Sequence, residues 1–238
     1  MAGDGESGGK PGDSRTGGTE TFRPSLYYPD PARRVLSRPN PRRRRLSMDQ
    51  DRITIVSGLP RSGTSMMMRM IVAAGIPALT DNLRTADEDN PNGYLEFEPV
   101  KHTKADPSWL PRAHGRVVKM VHLLLPDLPV GHEYRIVLMR RDLDEVVASQ
   151  RKMLAHSGRK SGDGQLLMRV YRAQLESVRR FMDSRGDIRW METDYNMVLA
   201  SPLEGARRVA EFLGVPGMAA HMAAAIDPTL YRNRRPEL

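Results

Sequence analysis

Ile53-Thr54-Ile55-Val56, then Ser57-Gly58-Leu59-Pro60-Arg61-Ser62-Gly63-Thr64-Ser65, then Met66-Met67-Met68-Arg69-Met70-Ile71 follow one another without a break. The first run is short, apolar and β-branched. The second is a Gly/Pro/Ser loop, and the third is made of good helix formers. That order predicts a buried strand, a tight loop and a helix. Two glycines separated by four residues let the backbone turn sharply and come close to a bound anion. The first amides of the following helix then face that anion, with the positive end of the helix dipole behind them. The stretch reads as a phosphate cradle.

One position sets this cradle apart from loops that hold ATP with Mg²⁺. Those carry Lys after the second glycine, then Ser or Thr for the metal; here Thr64 follows Gly63. The cation inside the loop is Arg61. Its guanidinium is a fork of fixed donors able to hold two oxygens of one anion, whereas a loop lysine acts as a point charge.

A second stretch agrees with the first. Arg141-Asp142-Leu143-Asp144-Glu145-Val146-Val147-Ala148-Ser149 follows the apolar run Ile136–Met139. Taken with the cradle, it resembles the sulfotransferases that use 3′-phosphoadenosine-5′-phosphosulfate (PAPS). Gly58 to Ser65 is similar to that family's 5′-phosphosulfate loop. The resemblance implies donor contacts at Gly58, Pro60, Arg61, Ser62, Gly63, Thr64 and Ser65. Arg141 to Ser149 is similar to the element in which an Arg and a Ser in the next helix grip the 3′-phosphate, so Arg141 and Ser149 are the implied pair. Leu143 stands where the family usually has Pro. A third likeness runs through Glu192-Thr-Asp-Tyr-Asn196, Pro202 and Glu211-Phe212-Leu213-Gly214. The resemblance therefore spans residues 53 to about 214 and implies PAPS as co-substrate, with no metal.

The start of the chain has another character. Residues 1 to about 21 are Gly, Ser, Asp and Thr with almost no large apolar side chain, too little burial to offset the entropy of ordering. Seven arginines and no acid lie between Arg33 and Arg45, so of the formal net charge of +8 only about +1 belongs to everything else. The reading is a disordered basic tail over 1–48 and an α/β domain over 49–238. Residues 1–47 are expected to contribute nothing to catalysis, with Met48 a candidate start of the natural product. Non-specific nucleic-acid contact by the arginine run is the alternative to a solvated charge run and is not favoured.

No stretch has membrane-spanning length, and no apolar leader precedes the first strand. The chain has no cysteine, which excludes disulfides, thiolate metal sites and Cys nucleophiles. A cytoplasmic setting is expected.

Val117–Val121, Tyr134–Met139 and Ile188–Met191 read as further strands. Asp144–Ala155, Gln165–Met182 and Pro202–Leu213 read as helices. Strands alternating with helices predict a central parallel sheet flanked by helices, and the resemblance implies that this is a three-layer, P-loop-like α/β domain. Ligands in such folds bind outside the carboxyl ends of the strands, where both anion motifs fall. The polar connection from Pro77 to Trp109 holds Asp87-Glu88-Asp89, read as solvated acids, and the turn residues Asn90 to Gly93.

For the chemistry, Arg61 and the Ser62–Ser65 amides and hydroxyls are expected to meet charge on the leaving phosphate. Glu96 is the expected base, since Asn90 to Glu96 resembles the Asn-Pro-x-Gly-Tyr-x-Glu stretch of bacterial sulfotransferase-like sequences. Glu98, two residues on, competes with it. Lys119 is expected near the leaving oxygen. His122 is a further candidate base, but in a regular strand Lys119 and His122 would point to opposite faces. The expected function is sulfuryl transfer from PAPS to a hydroxyl or amine of an unknown acceptor. The alternatives are a diverged P-loop nucleotide-binding protein or kinase, and a non-catalytic binding protein on the same fold.

Overall fold

Four strands, β1 (Arg52–Gly58), β2 (Val117–Val121), β3 (Glu133–Arg140) and β4 (Ile188–Asp194), pair in parallel in the order β2-β1-β3-β4. The structure is a computed structural model describing residues 51–81, 83, 93–156 and 162–227. The tail expected over 1–48, the acids at 87–89 and the turn residues 90–92 lie outside the described residues.

Register decides where function can sit. Gly58 pairs with Val121 on one side and Met139 on the other, and Arg140 pairs with Asp194. The chain thus leaves all four strands at one edge of the sheet. Residues after β1, β2, β3 and β4 are brought together there.

Helices cover both faces. They are α1 (Thr64–Ala73), α2 (Leu110–Ala113), α3 (Leu143–His156), α4 (Gly164–Asp183), α5 (Tyr195–Ala200), α6 (Pro202–Leu213) and α7 (Ala219–Ala224). Alternation along the strands divides the core in two. Val56, Val117, Val137 and Met139 pack with α1, α5, α6 and α7. Ile53, Ile55, Val118, Met120, Ile136 and Leu138 pack with α2, Val178 and Met182 of α4, and the 3₁₀ helix His122–Asp127. The expected three-layer α/β architecture is the one observed.

Local sequence explains the helices that frame the site. In α4 the buried side chains Met168, Tyr171, Leu175, Val178 and Met182 recur at three- and four-residue steps, and Asp163 caps the start by accepting from the Gln165 amide. Its lower half lies on the sheet through Val178 and Met182. Its upper half does not: Tyr171 and Leu175 pack instead with Leu59 and with Val146 of α3. The first turns of α4 therefore rise beyond the sheet edge as a wall. Helix α6 opens with Pro202 and closes at Gly214, whose φ of 80° is the left-handed cap that glycine favours.

The strands and long helices fall where the pattern places them. β4 runs on to Asp194 because Met191 to Asp194 keep pairing with Val137 to Arg140. Short α5 was not anticipated; Asp194 starts it, accepting from the amides of Asn196 and Met197. Among the described residues no helix is long and apolar enough to cross a membrane.

Candidate active site

The loop between β1 and α1 is closed from within. Ser62 is fully buried; its hydroxyl donates to the Leu59 carbonyl at 2.7 Å, and its amide donates to the same oxygen at 3.2 Å. The Ser62 side chain, read from sequence as facing an anion, thus serves the turn itself. Gly63 precedes α1 with φ 96°, and a Cβ there would lie 2.3 Å from the Tyr195 ring. Gly58 is equally constrained, since a Cβ would meet Ser62 Oγ at 2.5 Å and the Met139 carbonyl at 2.8 Å. Gly63, which precedes α1, brings no side chain to cap its first amides. Thr64 and Ser65 form its first turn.

Arg61 reaches out of the loop. Its Nε donates to Ser149 Oγ on α3 at 2.8 Å, joining the two motifs across 88 positions of sequence. Its backbone has φ 70°, a left-handed conformation rare outside glycine. Arg141 lies underneath, donating from Nη1 to the Arg61 carbonyl at 3.2 Å and from Nε to Glu145 at 2.7 Å. The other Glu145 oxygen accepts from Asn196 Nδ2 at 3.1 Å. The Arg141 guanidinium lies 4.5 Å from the centre of the Tyr195 ring, close enough for cation–π attraction. Burial pushes the Tyr195 hydroxyl above its ordinary pKa, with Arg141 opposing, so the ring stays neutral in the cluster. Arg141 and Ser149 are indeed beside the loop, but Arg141 has a structural partner that the motif reading did not include.

A second cluster lies across the loop. Lys119 Nζ donates to Ser65 Oγ at 3.2 Å, to the Tyr94 carbonyl at 3.2 Å and to Glu96 Oε1 at 3.3 Å. Leu95, between Tyr94 and Glu96, has φ 49°. Among the described residues, the two non-glycine residues with positive φ are Arg61 and Leu95, and each adjoins one cluster. Strained backbone of this kind persists where its surroundings fix it.

The competing bases go elsewhere. Glu98 opens a 3₁₀ helix, Glu98–His102, and its carboxylate accepts from Lys101 at 2.7 and 2.9 Å on the surface. His122 lies just past β2, buried, with Nδ1 3.2 Å from the Gly58 carbonyl and Nε2 3.0 Å from Gln174 Oε1. It ties the loop to α4 on the face opposite Lys119, as strand alternation requires. Among the described residues, no group of three or more His, Asp or Glu is placed to hold a metal ion.

A family model described as "Sulfotransferase family" matches residues 132–219, the segment carrying Arg141, Glu145, Ser149 and Tyr195. The chain resembles the sulfotransferases. Two similar solved structures are the sulfotransferase domain from the Synechococcus PCC 7002 olefin synthase, 14% identical with a TM-score of 0.45, and the sulfotransferase domain from the curacin biosynthetic pathway, 13% identical with a TM-score of 0.43. Each match covers 78% of this chain and 78% of the other. Curated proteins give no match.

Motif reading of this sulfotransferase-like chain missed Glu145 and Asn196, which hold Arg141 in place. The signal for Glu145 was present as an opposite charge four residues on. Asn196 lay within the third likeness, but nothing in the sequence paired it with Glu145, which it meets because β3 and β4 are neighbours.

Proposed function

We propose that this chain transfers a sulfuryl group from PAPS to a hydroxyl or amine acceptor. The observation that supports this most is the Arg61–Ser149 hydrogen bond. It joins the cradle and the strand-end arginine motif into one basic surface, as a donor bearing anionic groups at both its 5′ and 3′ positions requires.

PAPS, when bound, supplies a sulfuryl group activated by its anhydride link to phosphate. The residues present fit it. Gly58 and Gly63 leave no room for side chains, the α1 amides face the loop, and Arg61, Arg141 and Ser149 lie on its other side. Pro60, Ser62 and Thr64 complete the loop. In the proposed reaction the acceptor oxygen forms a bond to sulfur as the sulfur–oxygen bond to phosphate breaks. Glu96 takes the acceptor proton. Lys119 holds Glu96 and Ser65 together, and with Arg61 offsets the charge gained by the departing phosphate.

Calorimetry tests the donor. 3′-Phosphoadenosine-5′-phosphate should bind tightly without Mg²⁺, and adenosine 5′-phosphosulfate more weakly because it lacks the 3′-phosphate. Tighter binding of ATP–Mg²⁺ than of either would instead favour a phosphoryl-transfer or nucleotide-binding protein.

A further inference from the structure

The proposed reaction leaves one buried histidine beside the site unused. His122 is 1% exposed and both its ring nitrogens are engaged within the fold, so it offers an acceptor nothing to touch. Its partners give it another place. Nδ1 lies 3.2 Å from the Gly58 carbonyl, and since a carbonyl oxygen only accepts, that nitrogen carries the proton. Nε2 lies 3.0 Å from the side-chain amide of Gln174 on α4. The ring is a strut between the glycine at which β1 ends and a helix.

The same helix seats the next residue. Leu59 is 2% exposed and packs with Tyr171 and Leu175 of α4 and with Val146 of α3. Tyr171, Gln174 and Leu175 stand three and four residues apart, so one side of α4 supplies all three. Leu59 in turn carries the carbonyl that receives both the amide and the hydroxyl of Ser62. A peptide unit is planar, so holding the Gly58 carbonyl sets the direction in which the chain enters Leu59. Two lines of contact thus run from α4 into the loop. One passes through His122 to Gly58, the other through Leu59 to Ser62.

We infer that His122 and Gln174 are positioning residues for the 5′ end of the donor: α4 sets the shape of the loop from behind. The inference rests on the sulfuryl-transfer reading and adds to it two residues outside both anion motifs. A loop given alternative shapes binds with an affinity reduced to the fraction that keeps the competent one. The effect falls on ligands that enter the cradle and spares those that occupy only the Arg141–Ser149 side.

Calorimetry with three nucleotides tests this. 3′-Phosphoadenosine-5′-phosphate and adenosine 5′-phosphosulfate both place a group in the cradle, and adenosine 3′-phosphate does not. His122→Leu leaves the Gly58 carbonyl without its donor and should weaken the first two by a similar factor, about tenfold. Adenosine 3′-phosphate should stay within about twofold. His122→Asn, whose amide nitrogen stands close to the place of Nδ1, should recover most of the loss, as a general packing defect would not allow. Gln174→Met, similar in volume but without the amide, should act in the same direction and serves if His122→Leu does not fold. An equal loss for all three nucleotides, no loss in either variant, or an Asn variant no better than Leu overturns the inference, while nucleotide binding by the wild-type protein keeps the donor reading intact. Failure of the wild-type protein to bind 3′-phosphoadenosine-5′-phosphate overturns both.

Discussion

The two sides of the strand-end edge are built differently. On one, Arg141 and Glu145 are only 7% and 3% exposed, and their oxygens and nitrogens meet Arg61, Asn196 and the Tyr195 ring. On the other, Lys119 and Glu96 are 15% and 28% exposed, and their pair spans a longer 3.3 Å. A buried charge pair is tolerated only when hydrogen bonds satisfy what burial strips of water. The first cluster is thus fixed by the fold before any ligand arrives. The second is within reach of solvent, as the proposed acceptor of a proton from an incoming molecule has to be. Position is supplied by burial, and exchange by exposure.

The contrast can be broken most strongly at Glu96. Glu96→Gln should lower turnover by about 10²–10⁴ while nucleotide affinity stays nearly constant. Glu98→Gln, altering an exposed pair with Lys101, should change little; steady-state kinetics with calorimetry separates the two. Next is Arg141→Ala, which leaves a carboxylate buried without its cation. It should destabilise the fold by about 3–5 kcal/mol in urea titrations even without nucleotide, and Arg141→Ala with Glu145→Ala should recover part of the loss. Loss of affinity without loss of stability would mean that Arg141 serves the ligand alone. Ser149→Ala comes third. Removing a hydrogen bond to a charged group is worth about 1.5–3 kcal/mol. Affinity for 3′-phosphoadenosine-5′-phosphate should therefore fall about ten- to a hundredfold, with little change for adenosine 5′-phosphosulfate.

The smallest effect expected is at the opposite edge of the sheet, and serves as a control. His132, just before β3, lies 3.1 Å from His114 between ring nitrogens. Burial lowers its pKa, His114 lowers it further and Asp187 opposes. The unfolded chain thus takes up a proton more readily than the folded one. The contribution to stability is complete above the ordinary histidine value of about 6.5 and is lost as pH falls through and below it. Thermal melts from pH 7.5 to 5 should show a modest decline that His132→Gln reduces.

Much of this was legible in the chain because local rules decide it. The Ile53–Val56 run, the paired glycines and the periodicity of α4 each specify an element without reference to the rest. Arg61 could be nominated on residue type and position, and Arg141, Ser149, Lys119 and Glu96 on their resemblance to family motifs. Their partners could not. That Arg61 meets Ser149, or that Asn196 holds Glu145, depends on β1, β3 and β4 being neighbours, and strand order is set by packing over the whole sheet. His122 shows the converse. Its strand face was readable, but its contacts with the Gly58 carbonyl and Gln174 come from an α4 that rises beside the loop.

Arg61 has one more consequence, for how variants of this protein would be sorted. Its left-handed backbone costs roughly 1–2 kcal/mol in a residue with a side chain, and glycine there would be relieved of that cost. A library selected only for resistance to heat should therefore enrich glycine or asparagine at position 61. A library selected for nucleotide capture should retain arginine. Sequencing one position after each selection would report which demand had been applied, because backbone and guanidinium pull it in opposite directions.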